Sequence, residues 1–535
     1  MARTTAPAPP QFNPASYTRT VSRSHRRGST RLRDVLLEAY TTLLGVGTIL
    51  ALAGGLVLAL RNEVARALGS GAGGRRTIVA AEWTGLPDGA AVTVLLFAAL
   101  AAVLTGARKL GPVAVTSAEG YWWLGLPVDR RPFLTGRLLR RGGMVWAAGA
   151  VLYLPVGVIT DLQAAFAGQL AGAAVFGLAA VCALLLAAVG QSAGNGQVGG
   201  QQVDGQPGGN RPAAGHGIPA GPFGTAGALV LLALLGFLPR LAAAGEWWPV
   251  PAALAAVVGL GLWVQTRLER IPGGELIRGG GVSGHAGAAL YLMDTNELGR
   301  AFAAAPGART SGRARRWYAK GARTPFGALL RADATAFLRT PGLWGRPVLL
   351  LLLCVAVLLA AGQQPALMQL AVILLTIGAA VPAMGALARQ TAITPGLDAL
   401  LPLSPALVRL SRMTLPAAAM ALWSAAFCTV LVLLGAGSPG LIGLGALAGT
   451  GLGAAAVRGA YRPLPDWTVP PSDTVFGPVP TAQAGSLARG PDTILLAAVP
   501  LLLGLFLGYV PGALLLGQAV FSAGCVLLVM FSNPR

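Results

Sequence analysis

The sequence predicts an all-α polytopic membrane protein with about 12 transmembrane helices in two parallel six-helix pseudo-repeats. Three observations lead there. Hydrophobic residues make up 54% of the 535 and charged residues only 11%, at a mean hydropathy of +0.65, whereas a soluble globule needs about a quarter of its residues charged. The apolar residues gather into runs near the ~20 needed to cross the hydrocarbon layer. The runs also come in a repeated order: six, a basic stretch at 267–345, then six more.

Along the chain, residues 1–39 are a polar, basic tail that ends in an amphipathic stretch. The first half, 40–266, holds runs at 40–60, 90–107, 143–160, 165–190, 225–244 and 249–266. After the 267–345 linker the second half, 346–535, holds runs at 346–361, 367–388, 414–435, 438–457, 493–509 and 511–531. Val, Leu and Ala fill them without period-two alternation, which predicts helices and excludes the strands of an outer-membrane barrel. Residues 1–36 precede a run too long for a signal-peptide core, so the first span is expected to be retained.

Charge sets the topology. The net charge is +21, almost wholly from arginine, since Lys109 and Lys320 are the only lysines; with abundant Ala and Gly this suggests a high-GC bacterial genome. If both termini are cytoplasmic, the cytoplasmic segments hold 35 of the 40 Lys and Arg residues, as the positive-inside rule requires of a bacterial cytoplasmic membrane. Arg61, Arg66, Arg75 and Arg76, in the expected outside loop 61–89, run against this bias. The basic cluster Arg309, Arg313, Arg315, Arg316, Lys320 and Arg323 is read as lying against anionic lipid headgroups, with nucleic acid the outsider.

Each half opens on an amphipathic stretch of the kind that lies along a membrane surface. In the first, Leu32, Leu36, Ala39 and Tyr40 share a face. In the second, Phe326, Leu330, Ala334, Phe337 and Leu338 do so, with Arg331, Asp333 and Arg339 placed elsewhere. Between the second and third runs of each half lies a Leu-Pro loop, EGYWWLGLPVDRRPFLTGRLLRR (119–141) and TPGLDALLPLSPALVRLSRM (394–413). Aligning Pro127 with Pro402 pairs Leu126 with Leu401 and Arg137 with Arg412, and offers Asp129 and Ser404 as helix N-caps. The Gly- and Gln-rich segment 190–217 reads as a flexible insert, and the Pro-rich loop 458–492 as stiff and extended.

Chemistry is sparse. The chain has no Gly-Lys dipeptide, so a Walker-type phosphate loop is excluded, and the Gly-rich GVSGHAG (281–287) reads as a flexible loop. His25, His216 and His285 stand apart from carboxylates and nucleophiles, and Cys182, Cys354, Cys428 and Cys525 each sit alone in an apolar run. No enzyme activity, cofactor or metal is expected. The ionisable groups that mark a secondary transporter are missing from the runs; Asp161 and Glu246 fall in turns, and Gln169 reads as an interhelical hydrogen bond. Gly445, Gly449 and Gly453 form a small-xxx-small face for close packing, while Trp83, Trp247 and Trp248 suit interfacial anchoring.

LGLPVDRRPFLTGRLLRR (124–141) resembles the segment after the second span in permeases of type-2 ATP-binding-cassette exporters. In that family a six-span half carries an amphipathic helix before its first span and a short cytoplasmic coupling helix between its second and third. The coupling helix docks on a separate ATPase subunit. The resemblance implies that this chain is two such halves fused, working as the membrane-spanning subunit of an exporter with an ATPase partner. Its second loop departs from the pattern, with Pro405 where the first has Arg130, and the family's helical re-entry before the sixth span is not evident. On this reading the ATPase-contact residues are Tyr121, Trp122, Pro127, Arg130, Arg131 and Arg137 in the first loop, and Pro402, Leu403, Arg409 and Arg412 in the second. The alternative for the first loop is that Trp122 and Trp123 anchor at the headgroups while Arg130 and Arg131 enforce orientation. For the whole chain the alternatives are a non-transporting membrane scaffold or assembly protein, and a secondary transporter.

Overall fold

A computed structural model describes residues 90–126, 129–160, 165–192, 225–291, 295–302, 321–360, 366–392, 400–462 and 489–531, with short pieces at 54–55, 58, 61–62, 77–79, 396, 398, 472–474 and 477–479. The first amphipathic stretch, most of the first apolar run, Asp161, the insert at 193–217 and the basic residues from Arg309 to Lys320 lie outside the described residues.

Helices stand at the other eleven apolar runs. They are α1 (Ala90–Leu110), α3 (Arg131–Thr160), α4 (Phe166–Ser192), α5 (Thr225–Ala243) and α6 (Pro249–Gln265), with the short α2 (Ser117–Trp123) ahead of α3. The described parts of the linker hold three helices, α7 (Gly273–Tyr291), α8 (Thr295–Ala301) and α9 (Pro325–Arg339). Then come α10 (Pro341–Ala360), α11 (Ala366–Met384), α12 (Ala386–Thr391), α13 (Pro405–Leu433), α14 (Gly440–Ala460), α15 (Pro491–Leu507) and α16 (Gly512–Phe531). Between α14 and α15, β1 (Ser472–Thr474) and β2 (Gly477–Val479) pair antiparallel within the segment expected to be extended.

Among the described residues seven helices are long and apolar enough to cross a membrane: α1, α3, α4, α11, α13, α14 and α16. Helices α5, α6 and α15 are apolar but shorter, and α10 follows α9 across a 57° bend. Proline marks several starts, at Pro249, Pro325, Pro405 and Pro491, where the missing N–H costs nothing. Gly508 ends α15 at φ 75°, a left-handed cap that a side chain would strain.

The chain divides into two compact units, one mainly of residues 93–288 and the other mainly of 306–535. In the first, α4 is central, packed against α3, α5 and α6 and buried on all sides from Phe176 to Ala188 but for Leu178. A helix apolar all round belongs inside. Gln169 is buried near the start of α4, its Oε1 lying where a Cβ on Gly157 of α3 would sit. In the second unit α14 is central, against α13, α15 and α16. A Cβ on Gly445 would strike the Cys428 thiol and the Ser424 carbonyl, one on Gly449 the backbone at Met420 and Ala421, and one on Gly453 the backbone at Ala417. The small-residue face is thus where α13 and α14 touch backbone to backbone.

Three sequence expectations fail. GVSGHAG (281–287) is helix, within α7, and no loop. Its neighbour Gly280 lies so close that a Cβ there would overlap the Val115 carbonyl, so tertiary contact overrides the poor helix propensity of glycine. Asp333 does not lie apart from the apolar face of α9: it is 8% exposed beside Phe337, while Leu338 is 73% exposed. Asp129 does not cap α3, which begins at Arg131; its Oδ1 accepts from the Arg131 N–H at 2.9 Å.

Candidate functional site

The two Leu-Pro loops share one construction, a base tied down by arginine and a tip left exposed and apolar. In the first, Thr116 and Glu119 form a capping box that starts α2. Glu119 works twice, since Oε2 accepts from the Thr116 N–H at 2.9 Å while Oε1 pairs with Arg137 of α3. Arg137 also donates to the Ala114 carbonyl at 3.4 Å and lies over the Phe133 ring. One turn on, Arg141 donates to the carbonyls of Gly111 and Pro112 and to Ser283 Oγ of α7.

These arginines grip a fully buried, non-helical segment, Gly111–Val115. The Gln191 side chain reads it as a neighbouring strand would, accepting from the Val113 N–H at 3.2 Å and donating to the Val113 carbonyl at 3.0 Å. The Val115 N–H donates to the Leu276 carbonyl of α7 at 3.1 Å. A buried backbone must find such partners. Gly120 completes the seating of α2, its Cα facing Ile277 of α7.

Above this base Tyr121 and Trp122 are 79% and 68% exposed, their rings edge to face at 5.3 Å, and Leu126 is exposed beyond them. Arg130 folds back to donate to the Leu124 carbonyl at 2.8 Å. Arg131 forms a two-pronged pair with Glu269 at 2.6 and 2.9 Å, both side chains half exposed. Pro127 lies outside the described residues.

In the second loop Ser404 is the N-cap of α13, as its sequence position suggests, accepting from the Leu407 N–H at 3.4 Å. Arg412 is 10% exposed and holds two carboxylates, Asp333 of α9 and Asp398 of the loop, the latter at 3.2 Å. Tyr461, just past α14, donates to Asp398 Oδ2 at 3.4 Å and meets the Thr391 hydroxyl at 3.4 Å. Burial lifts the Asp333 carboxyl above its ordinary range, against the pull of Arg412. Arg409 donates to the Met530 carbonyl at the end of α16. Leu403 is half-buried; Pro402 and Leu400 are exposed, Leu400 at 80%.

Of the sequence-predicted contact residues, Tyr121, Trp122, Arg131 and Pro402 are therefore available to a partner. Arg137 and Arg412, matched by the Pro127–Pro402 alignment, both turn inward and fasten the loop base to a carboxylate. Sequence reasoning missed Gln191, Asp398 and Leu400. The signal for Gln191 was a lone amide closing an apolar run, the signature of a side chain that serves buried backbone. Among the described residues no cluster of His, Cys, Asp or Glu could hold a metal ion.

The apolar helices and their buried, small-residue contacts define a helical membrane protein. A family model matches residues 88–470, more than half of the chain, and the chain belongs to that family, described as "Family of unknown function (DUF6297)". No curated protein and no solved structure matches it.

Proposed function

We propose that the chain is the membrane-spanning permease of an ABC-type exporter, two six-helix halves in one polypeptide, driven by a separate ATPase that docks on the two Leu-Pro loops. The observation that carries this is the loops' shared design. A link that transmits force needs a stiff base and a sticky tip. Arg137 with Glu119, and Arg412 with Asp333 and Asp398, make each base stiff. Tyr121, Trp122 and Leu126 in one loop, and Leu400 and Leu407 in the other, make the tips apolar. Protein interfaces draw their energy from such centrally placed aromatic side chains.

A second observation supports the paired halves. The fourth of six runs is the central helix in each unit, α4 in one and α14 in the other, and each packs against the third, fifth and sixth runs of its own half. With the basic loops and both termini on the cytoplasmic side of a bacterial membrane, an ATPase would pull on α3 through the first loop and on α13 through the second. Because each is one unbroken helix from the loop onward, a displacement at the tip would be carried along it to the contact with α4 or α14.

The test is co-purification from native membranes. The tagged chain should bring down an ATP-binding-cassette ATPase, and the Tyr121→Ala/Trp122→Ala variant should weaken that association by about 30-fold, the cost of losing one hot spot of about 2 kcal/mol. Insertion should be unchanged. Capture of membrane proteins alone, with no ATPase, would instead favour the scaffold.

A further inference from the structure

Ionisable groups from four parts of the second unit meet at one buried point: Asp333 of α9, Arg412 of α13, Asp398 of the loop ahead of α13, and Tyr461 just past α14. Helix α9 packs on α13, α10 and α12, and the other charged groups of these elements are engaged or exposed elsewhere. Arg409 donates to the Met530 carbonyl, Arg389 to the Pro382 carbonyl at 2.7 Å and Arg331 to the Gly321 carbonyl, while Arg339 and Arg346 are exposed. Arg458 of α14 is held by Asp492 at 2.8 Å. Arg412 is thus one positive charge set between two carboxylates, and the fully ionised cluster is net negative.

The two carboxylates are not equivalent. Both oxygens of Asp398 have donors, Arg412 on Oδ1 and the Tyr461 hydroxyl on Oδ2, and its side chain is the more exposed of the two. Burial lifts the Tyr461 hydroxyl above its ordinary range, which keeps it a donor. Asp333 is bonded through Oδ1 alone; the residue is 8% exposed, and among the described residues nothing donates to its buried Oδ2. An ionised oxygen there has lost its water and gained no donor, so a proton on it cancels the excess charge where solvation is weakest. Two acids whose surroundings differ in this way divide into a proton holder and a charged partner.

We propose that this cluster is a proton-binding site, holding one proton on Asp333 Oδ2 beside an ionised Asp398, and that its occupancy is linked to the seating of the second Leu-Pro loop. The proton comes from a hydronium ion or a buffer acid, which leaves as water or the conjugate base, and it enters past Asp398, the more exposed member. Asp398 stands two residues before Leu400, so a shift of the loop tip that draws Asp398 aside opens Asp333 to water and lets the proton go. The linkage is reciprocal. Burial raises Asp333, so its stabilisation is fully present below the unfolded-state value and is lost as pH rises through the raised one; losing the proton should therefore loosen the loop. The site rests on the cluster alone and holds whether or not an ATPase docks on the loop.

The experiment uses the full chain in nanodiscs, titrated by infrared difference spectroscopy, in which a protonated carboxyl group has its own C=O stretch. Wild type should show a carboxyl titrating above the ordinary range of Asp and Glu, about 3.9–4.3, and Asp333→Asn should remove it. Asp398→Asn should lower its midpoint by about one pH unit or more, because a like charge that opposes ionisation is gone; a purely structural pair would leave the midpoint in place. In a cysteine-free background, a nitroxide on Leu400→Cys should gain mobility as pH rises through the same midpoint. Absence of a carboxyl titrating above the ordinary range, or one that survives Asp333→Asn, overturns the site. A nitroxide signal flat across that midpoint overturns the link to the loop. Should Asp333→Asn fail to fold, Asp398→Asn decides, and an unmoved midpoint overturns the proposal.

Discussion

Replacing Arg412 with Met should destabilise the second unit more than any other single change at the loops. The Arg412 side chain is 10% exposed, and the side chains of its partners Asp333 and Asp398 are 11% and 19% exposed, so water supplies little compensation. Removing one member of a buried pair costs about 3–5 kcal/mol, because the surviving charge is left without a partner. Here two carboxylates survive, one on α9 and one on the loop that precedes α13. For a unit of this size 1 kcal/mol moves the midpoint by about 2–4 °C, so a loss on the order of 10 °C is expected at a fixed scan rate in nanodiscs. The pH dependence gives a second handle. Asp333 already titrates above its ordinary range because of burial, so its contribution to stability is fully present below the unfolded-state pKa and is lost as pH rises through the lifted value. Without Arg412 the lift grows, and the deficit of the Met variant should shrink as pH falls toward the carboxylate range. The double variant Arg412→Met/Asp333→Leu should recover part of the loss. A Met variant within about 1 kcal/mol of wild type, the level of a solvated surface pair, or a deficit that widens at low pH, would refute the claim that this triad fastens the loop.

Other positions make equally direct demands. Gly449→Ala pushes into the backbone at Met420 and Ala421 and should cost about 1–3 kcal/mol, whereas Gly443→Ala, on the open side of the same helix, should be neutral or stabilising by up to about 1 kcal/mol; equal effects in thermal denaturation would contradict the packing of α13 on α14. Gln369 Oε1 accepts from both Ile78 and Val79 N–H at 2.8 Å, so Gln369→Leu should cost about 1–3 kcal/mol for each stranded amide, read as faster hydrogen exchange at those two positions, and unchanged exchange would sink the assignment. In a cysteine-free background a membrane-impermeant thiol reagent should label Trp247→Cys in intact cells and Ala322→Cys only after permeabilisation; the reverse pattern would invert the topology.

Much of the fold was legible because membrane spans leave a one-dimensional mark. Length and apolarity placed helices at eleven runs, and spacing alone identified Gly445, Gly449 and Gly453 as a contact face. Ser404 was legible as a cap for the same local reason. What escaped were features set by residues far apart in the chain. A helical wheel separates Asp333 from the apolar residues of α9, but its partner Arg412 lies 79 positions away, and only their pairing makes the inward position tolerable. GVSGHAG looked like a loop because five residues of α7, from Gly279 to Gly284 apart from Val282, are small; the reason they can be helical is the strand-like segment Gly111–Val115 laid against them. The loops were found by their recurrence. Which side chains face out and which fasten the base had no local signature, and so Arg137 and Arg412 were grouped with Tyr121 and Trp122 when they do opposite work.

The most direct test of the docking claim is site-specific photocross-linking in native membranes from Trp122 and from Leu400, the most exposed apolar side chain of the second loop. Both positions should capture an ATP-binding-cassette ATPase, and the buried positions Met413 and Leu134 should capture none. Adducts with lipid alone at both tips would contradict it.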